Sequence, residues 1–158
     1  KHLTISKVSG AFADVAGKFT FTEGDPASWS AEATIQIASV NTGNEKRDDH
    51  LRNEDFFDVA QFPLMTFKST RVEMEDESEG KMYGELTLHG VTQPVVLDLE
   101  YNGSVTDPWG NDRAGFSATG KIKRKDWGLT YNSALESGGM VIGDEVKISL
   151  EVEGIKAK

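Results

Sequence analysis

The sequence contains no cysteine among its 158 residues, so it has neither disulfide bonds nor a thiolate for covalent chemistry or metal binding. Its folding is therefore indifferent to the redox compartment. The chain also lacks any apolar run near the ~18 residues of a membrane-spanning helix, and it shows no signal-peptide core. It begins at Lys1 rather than at Met, so we expect a cytoplasmic protein if no leader was removed, and a periplasmic or secreted one otherwise.

Basic residues are in the minority: 17 Lys and Arg stand against 26 Asp and Glu, which gives a formal net charge of -9. Nucleic-acid binding requires clustered cations that displace counterions from phosphates, and this composition argues against it. The same charge argues against adsorption to anionic membrane surfaces. No low-complexity tract, linker or convincing repeat is visible, so residues 1–158 predict one domain, long enough to bury a core without disulfides.

Short runs in which apolar and polar residues alternate dominate the chain, and a period of two is typical of β-strands. Clear examples are residues 31–37 and 146–152, whose apolar members share one face. About eight such runs, separated by turn signals roughly every 8–12 residues, predict an all-β barrel or sandwich. A change of phase between Ser69 and Arg71 predicts a bulge. Small inward residues such as Ala118 either leave room for a ligand or make space for large neighbours.

The alternation stops after Thr42 and gives way to a charged segment followed by two adjacent phenylalanines at 56–57. Thr42 and Glu45 have the spacing of a capping box, in which each side chain bonds the other's backbone amide. We therefore predict a short charged helix, two buried aromatic side chains, and a stop at Phe62-Pro63. Such a segment would cover one end of a barrel or sandwich.

Histidines and carboxylates are the residues here with potential for catalysis or metal binding. His2, His50 and His89 lack the spacing of a zinc site, so no metal site is predicted. Carboxylates crowd the predicted helix, where a solvated charged face explains them more simply than acid/base chemistry does. Arg47 beside Asp48 is either a buried structural clamp or a holder for a polar headgroup. No nucleophile elbow, phosphate-binding loop or dinucleotide fingerprint is present.

A series of motifs runs nearly end to end along the chain in a fixed order. They are Lys1-His2-Leu3, Val8-x-Gly10-x-Phe12, SVNTGN at 39–44, Arg47-Asp48-x-His50-Leu51, Asp55-Phe56-Phe57-Asp58, Phe62-Pro63-x-x-x-Phe67-x-Ser69, Gly84-x-Leu86-Thr87-x-x-Gly90-Val91-Thr92, Arg124-x-Asp126-Trp127-Gly128-Leu129 and Leu135-Glu136-x-Gly138-Gly139. In this order they resemble the YceI-like family of polyisoprenoid-binding, lipocalin-like bacterial proteins. One departure is a further strand that members usually have before the Lys-His position and that this chain lacks.

The resemblance implies an all-β fold: an eight-stranded antiparallel lipocalin-like barrel with a short helix covering one end. Its first strand is either missing here or belongs to a trimmed or disordered N-terminus. The long apolar interior would bind an isoprenoid lipid, such as an isoprenoid quinone or a polyprenyl phosphate, for storage or transport. The resemblance further implies a homodimer, no cofactor other than the bound lipid, and no catalytic residues that could be carried over.

Alternation selects the side chains that would line such an interior, provided that the register of each strand is right. The predicted wall residues are Phe12, Phe19, Phe21, Ile35, Ile37, Phe67, Leu86, Leu97, Leu99, Phe116, Trp127, Tyr131 and Ile148. The predicted rim residues, for a polar headgroup, are Arg47, His50 and Arg124. Trp29, Trp109 and Trp127 either line a pocket or fill the β core.

Three functions are consistent with these patterns. The leading hypothesis is a non-enzymatic carrier of an isoprenoid lipid. A second is a hydrolase or isomerase that acts on a bound lipid through Asp48 and His50. A third is a structural or interaction barrel whose core is filled by its own side chains. Stoichiometric lipid in an organic extract of the protein separates the first two hypotheses from the third.

Overall fold

The computed structural model describes residues 9–22, 24–131 and 143–155. Its strands are β1 (Ala11–Phe12), β2 (Val15–Thr20), β3 (Ser30–Gln36), β4 (Val40–Asn41), β5 (Leu64–Met74), β6 (Glu79–Leu88), β7 (Val91–Thr106), β8 (Asp112–Lys123) and β9 (Glu145–Ile155). The one α-helix in these ranges is α1 (Glu45–Arg52), and 3-10 helices occupy Pro26–Ser28, Ile37–Ser39 and Arg124–Trp127. The motifs Lys1-His2-Leu3 and Leu135-Glu136-x-Gly138-Gly139 lie outside the described residues. Among the described helices, none has the length and apolar character needed to cross a bilayer.

Seven strands form one antiparallel sheet in the order β2-β3-β5-β6-β7-β8-β9, while β1 pairs separately with β4. The sheet curls until strands that are far apart in this order face each other. The ring of Phe19 in β2 stacks on the ring of Phe116 in β8, with centroids 4.3 Å apart. The result is a nearly closed antiparallel barrel, which confirms the predicted fold class.

Strands β2 and β9 form the two edges of this sheet, and no β-ladder joins them within the described ranges. Apolar side chains lie exposed along both edges: Val15 on β2, and Val146 and Leu150 on β9. Val146 and Leu150 pair with Ile122 and Ala118, which places them on the inward face of the sheet. An eighth strand between the two edges, as the family resemblance implies, would cover these side chains.

The predicted bulge in β5 is present, because the register of β5 against β6 shifts between Ser69 and Arg71. Before the shift Phe67 points inward, and after it Val72 does, although the two residues are an odd number of positions apart. The hydroxyl of Ser69 accepts the amide of Ala31 at 2.8 Å, so the bulge is tied to β3. The acidic segment 75–78 forms the tip of the β5–β6 hairpin, as a solvated turn.

Helix α1 begins differently from the sequence prediction. Asn44, not Thr42, is the N-cap, and its side chain accepts the amide of Arg47 at 3.0 Å. Thr42 instead donates its amide and its hydroxyl to Asp48, at 3.0 and 2.5 Å. The predicted capping box was wrong, because the carboxylate of Asp48, one turn into the helix, accepts the Thr42 amide in place of the carboxylate of Glu45. The predicted helix itself is confirmed.

Candidate ligand-binding interior

The half of the barrel interior away from α1 is lined by aromatic rings. Trp29, Tyr101 and Phe116 lie within 5.9 Å of one another, centroid to centroid, and Phe21 lies among them. The indole nitrogen of Trp29 donates to the carbonyl of Thr22 at 2.7 Å, which satisfies its one polar atom. We call this half the aromatic cluster; its buried members are Trp29, Val72, Met82, Leu97, Leu99, Phe116 and Ala118.

The other half lies beneath α1 and the 3-10 helix Arg124–Trp127. Trp127 is 2% exposed, and its indole nitrogen donates to the carbonyl of Leu86 at 2.9 Å. Phe57, from the turn after α1, packs here and meets the ring of Phe12 edge-on at 6.0 Å. We call this half the helix-end cluster; its buried members are Ile37, Leu86, Leu88, Val95, Trp127 and Leu129.

Phe67 connects the two clusters, because its side chain packs against both. The ring has room there only because residue 84 is glycine. A Cβ on Gly84 would lie 2.5 Å from Cζ of Phe67. No buried side-chain nitrogen or oxygen among the described residues lacks a hydrogen-bond partner. The interior is therefore one apolar region along the barrel axis, with Phe67 at its middle.

Most of the predicted wall residues meet inside this region. The aromatic cluster and its packed neighbours contain Phe19, Phe21, Leu97, Leu99 and Phe116, the helix-end cluster and its neighbours contain Phe12, Ile37, Leu86, Trp127 and Ile148, and both include Phe67. Ile35 is half-buried in β3 between Val15 and Met65, and Tyr131 lies over α1, so these two belong to neither cluster. Contact of any of these side chains with a ligand stays a prediction.

Several core residues were missing from the predicted wall. Trp29 was undecided between pocket and core, and the structure buries it in the aromatic cluster. Met82, Leu88 and Val95 share the inward face of residues that were selected, so the period of two was sufficient to find them. Val72 does not share the phase of the residues before the bulge. Its burial follows from the register shift between Ser69 and Arg71.

The two arginines predicted at the rim are engaged with the backbone. Arg47 donates from Nε to the Thr42 hydroxyl and from Nη2 to the Thr42 carbonyl, both at 2.9 Å. Arg124 is buried and donates to the carbonyls of Gly143, Leu129 and Tyr131 at 2.8 to 2.9 Å. These bonds hold the segments that close the barrel end. Arg47 bonds Thr42, which Asp48 also bonds, and the choice between a clamp and a headgroup holder stays a prediction.

Asp48 is buried at the start of α1, where the hydroxyl of Thr42 donates to it and lowers the pKa of its carboxyl. The amide of Thr42 and the nearby Arg52 and Arg47 act in the same direction, against the cost of burial. Asp48 is therefore a carboxylate at neutral pH and stabilises the turn that leads into the helix.

His50 lies on a different side of α1 from Asp48, because residues two apart on a helix do not face each other. Its Nε2 is 2.9 Å from Oδ2 of Asp55, and its ring meets the edges of Phe56 and Tyr131 at 5.0 and 5.1 Å. Asp48 and His50 thus have separate partners and do not form a joint acid/base pair. In the described part of the chain no group of His, Asp and Glu is arranged to hold a metal ion.

Phe56 and Trp109 differ from their sequence predictions. Phe56 is half-buried and packs on His50 and Tyr131 outside both clusters, whereas its neighbour Phe57 faces the interior. Trp109 neither lines a pocket nor fills the core, since it lies in the β7–β8 turn and is 79% exposed.

Comparison with known proteins gives a consistent result. The family described as "YceI-like domain" matches residues 1–154. Protein YceI of Salmonella newport and a UPF0312 protein of Yersinia enterocolitica are each 43% identical over 158 residues, which is 100% of this chain and 79% of theirs. The crystal structure of a Campylobacter jejuni YCEI protein superposes with a TM-score of 0.89 at 39% identity, covering 100% of this chain and 90% of that one.

A more distant structure shares the fold alone. It is a domain from Saccharophagus degradans, described as a polyisoprenoid binding domain, with a TM-score of 0.65 and 19% identity over 94% of this chain and 85% of that one. The Salmonella and Yersinia relatives and the family match cover almost the entire sequence, including every motif on which the resemblance rested. The chain belongs to the YceI-like family.

Proposed function

We propose that this protein binds an isoprenoid lipid, of the isoprenoid quinone or polyprenyl phosphate type, and stores or transports it with the tail inside the barrel. The observation that carries the proposal is the single apolar region formed by the aromatic and helix-end clusters with Phe67 between them. A long, branched hydrocarbon chain requires apolar surroundings, and the interior side chains are apolar, with no buried side-chain nitrogen or oxygen unsatisfied among the described residues.

The comparisons support the same ligand class. The Saccharophagus degradans domain that shares this fold is described as binding polyisoprenoids. The match to the YceI-like family covers residues 1–154, so it spans both interior clusters.

Binding would derive its free energy from the tail. Each Å² of apolar surface removed from water contributes about 25 cal/mol, less the cost of ordering the chain. A polyprenyl tail offers several hundred Å² in units that repeat, so affinity grows with tail length. The headgroup then provides selectivity at the rim. His50 is the predicted rim residue with an exposed side chain, at 40%, whereas Arg47 and Arg124 already bond backbone carbonyls.

The proposed activity is binding and not catalysis. The enzymatic hypothesis requires Asp48 and His50 to act together on a bound lipid, and the two side chains have different partners on different sides of α1. Their contacts instead stabilise the helix that covers the barrel end.

The test has two parts. Native mass spectrometry of the protein purified from its own host, followed by organic extraction, should show a stoichiometric adduct whose fragments differ by isoprene units. Protein freed of lipid is then titrated with a short-chain ubiquinone or with geranylgeranyl phosphate. The quinone should quench the fluorescence of Trp29 and Trp127, which lie in the two interior clusters.

A pair of adjacent substitutions in β8 separates interior binding from surface binding. Ala118 is buried in the aromatic cluster and Thr119 faces outward. Ala118→Phe fills the interior and should weaken ubiquinone binding by at least about tenfold, whereas Thr119→Phe should leave it unchanged. A bare mass from the host, together with no quenching by ubiquinone and no geranylgeranyl phosphate adduct in the native mass spectrum, would contradict the proposal and favour a barrel filled by its own side chains.

A further inference from the structure

The three most exposed large apolar side chains of the described residues lie at the β7–β8 hairpin and on the adjoining strand β9. Trp109 is 79% exposed, Val105 67% and Ile155 54%, and every other large apolar side chain in the described ranges is less exposed. Val105 pairs with Arg113 in β8, and Arg113 pairs with Ile155 in β9, so Val105 and Ile155 flank one position on the outward face. Trp109 lies in the turn immediately beyond them. We call these three residues the hairpin patch.

The turn that presents Trp109 is rigidly built. Oδ1 of Asp107 accepts the amides of Trp109 and Asn111, each at 2.9 Å, and Oδ2 accepts Nε of Arg113 at 2.7 Å. The amide of Gly110 donates to the carbonyl of Asp107 at 3.0 Å, and Gly110 has the positive φ of 81° that this turn requires. Trp109 is thus held outward by a preorganised loop, and burying it against a partner costs little further ordering.

Charge indicates which surface the hairpin patch suits. The guanidinium of Arg113 lies between two carboxylates, Asp107 at 2.7 Å and Glu153 at 3.1 Å, so it is not available as a free cation. The protein as a whole carries a net charge of -9. An anionic bilayer would repel it, whereas a zwitterionic bilayer presents neutral headgroups in which an indole ring is favourably placed.

Size argues against a stable protein interface at this place. Three partly exposed side chains present on the order of 400 Å² of apolar surface. A stable protein–protein interface buries roughly 800 Å² on each partner, about twice as much. Insertion of a tryptophan at the headgroup level of a bilayer needs only the smaller area.

The hairpin patch also lies beside the candidate ligand-binding interior. The same two strands carry Tyr101 and Phe116, whose rings belong to the aromatic cluster. We propose that the hairpin patch docks on the zwitterionic surface of a lipid bilayer and places the aromatic end of the barrel against the membrane. This inference rests on the proposed function, since an isoprenoid lipid is insoluble in water and is exchanged where the barrel meets a bilayer.

The experiment uses vesicles of phosphatidylcholine with brominated acyl chains, which quench indoles that enter the bilayer. Trp29 and Trp127 are buried, so the quenched emission should come from Trp109 and should disappear in Trp109→Ala. Trp109→Ala and Val105→Ser should each weaken vesicle co-sedimentation, the former by about tenfold or more. The matched control is Val96→Ser, since Val96 is also an exposed residue of β7 but lies away from the hairpin. Replacing part of the phosphatidylcholine with anionic phosphatidylglycerol should weaken vesicle binding by the wild-type protein, because both surfaces are then negatively charged.

Absence of both quenching and co-sedimentation would overturn the inference. A second result would also overturn it: the wild type does not bind vesicles, is a dimer in vesicle-free buffer, and becomes a monomer in Trp109→Ala. The hairpin patch would then be an interface between copies of the chain. Titration with a short-chain ubiquinone in vesicle-free buffer distinguishes the two proposals. Trp109→Ala should leave this titration unchanged. Ubiquinone binding without vesicle binding contradicts only the docking surface. Vesicle binding without binding of ubiquinone or of geranylgeranyl phosphate contradicts only the proposed function.

Discussion

Phe67 is the side chain on which the continuity of the interior depends, and Phe67→Ala is the substitution that tests it. The ring packs against both interior clusters and lies directly over Gly84. Truncation of a core phenylalanine to alanine costs about 3–5 kcal/mol, and we expect the lower end, about 3 kcal/mol, because Phe67 is only half-buried. With a urea m-value of about 2 kcal/mol/M, the unfolding midpoint should fall by about 1.5 M.

The matched control is Phe62→Ala. Phe62 is also half-buried, but it packs on His89 and Gly90 at the β6–β7 turn, outside both clusters. Its truncation should lower the unfolding midpoint less and leave ubiquinone binding unchanged. Phe67→Ala should instead alter ubiquinone binding, because it enlarges the middle of the interior and removes a wall contact. Equal midpoints for the two variants, with unchanged ubiquinone binding in both, would refute the assignment of Phe67 to the centre of a continuous interior.

Three further predictions concern local contacts. Trp127→Phe removes the indole hydrogen bond to the carbonyl of Leu86 and should lower the free energy of unfolding by about 1 kcal/mol, measured by urea denaturation. Gly90→Ala should lower it by about 1–2 kcal/mol or more, because φ is +73° and the new methyl group would meet a neighbouring ring; near-neutral stability would show that this turn relaxes. The hydrogen bond from Arg113 lowers the pKa of Asp107 from 3.8 to about 2, so its stabilisation is complete above the ordinary carboxyl pKa and is lost as pH falls toward 2. The difference in urea midpoint between the wild type and Asp107→Asn should therefore shrink through that range, and a difference independent of pH would contradict the ionic role.

Local patterns were sufficient for the strands. In β3 and β9 the period of two places successive side chains on opposite faces whatever the strand packs against, so their inward residues could be read directly from the sequence. The bulge in β5 was also visible, as a change of phase between Ser69 and Arg71. The family could be recognised because its motifs are short and ordered along the chain.

The contacts at the helix end of the barrel could not be predicted from local sequence patterns. The charged residues at 45–52 predict a helix, but the sequence does not say which carboxylate caps it. The amide and hydroxyl of Thr42 donate to the carboxylate of Asp48, which is buried against the turn, and not to the carboxylate of Glu45. Arg124 shows the same limit, since its carbonyl partners at Leu129 and Gly143 come together only when the chain folds back on itself.

The class of fold, the inward faces of the strands and the family could be predicted from the sequence, because each depends on residues that are neighbours along the chain. The folded structure was needed to show that Phe67 joins two clusters into one interior, since that depends on how far the sheet curls and on the absence of a side chain at Gly84. The structure also shows that Trp109, whose residue type predicts burial, is exposed to solvent. Burial is a property of what surrounds a side chain, and the surroundings of Trp109 are set by the turn that Asp107 organises.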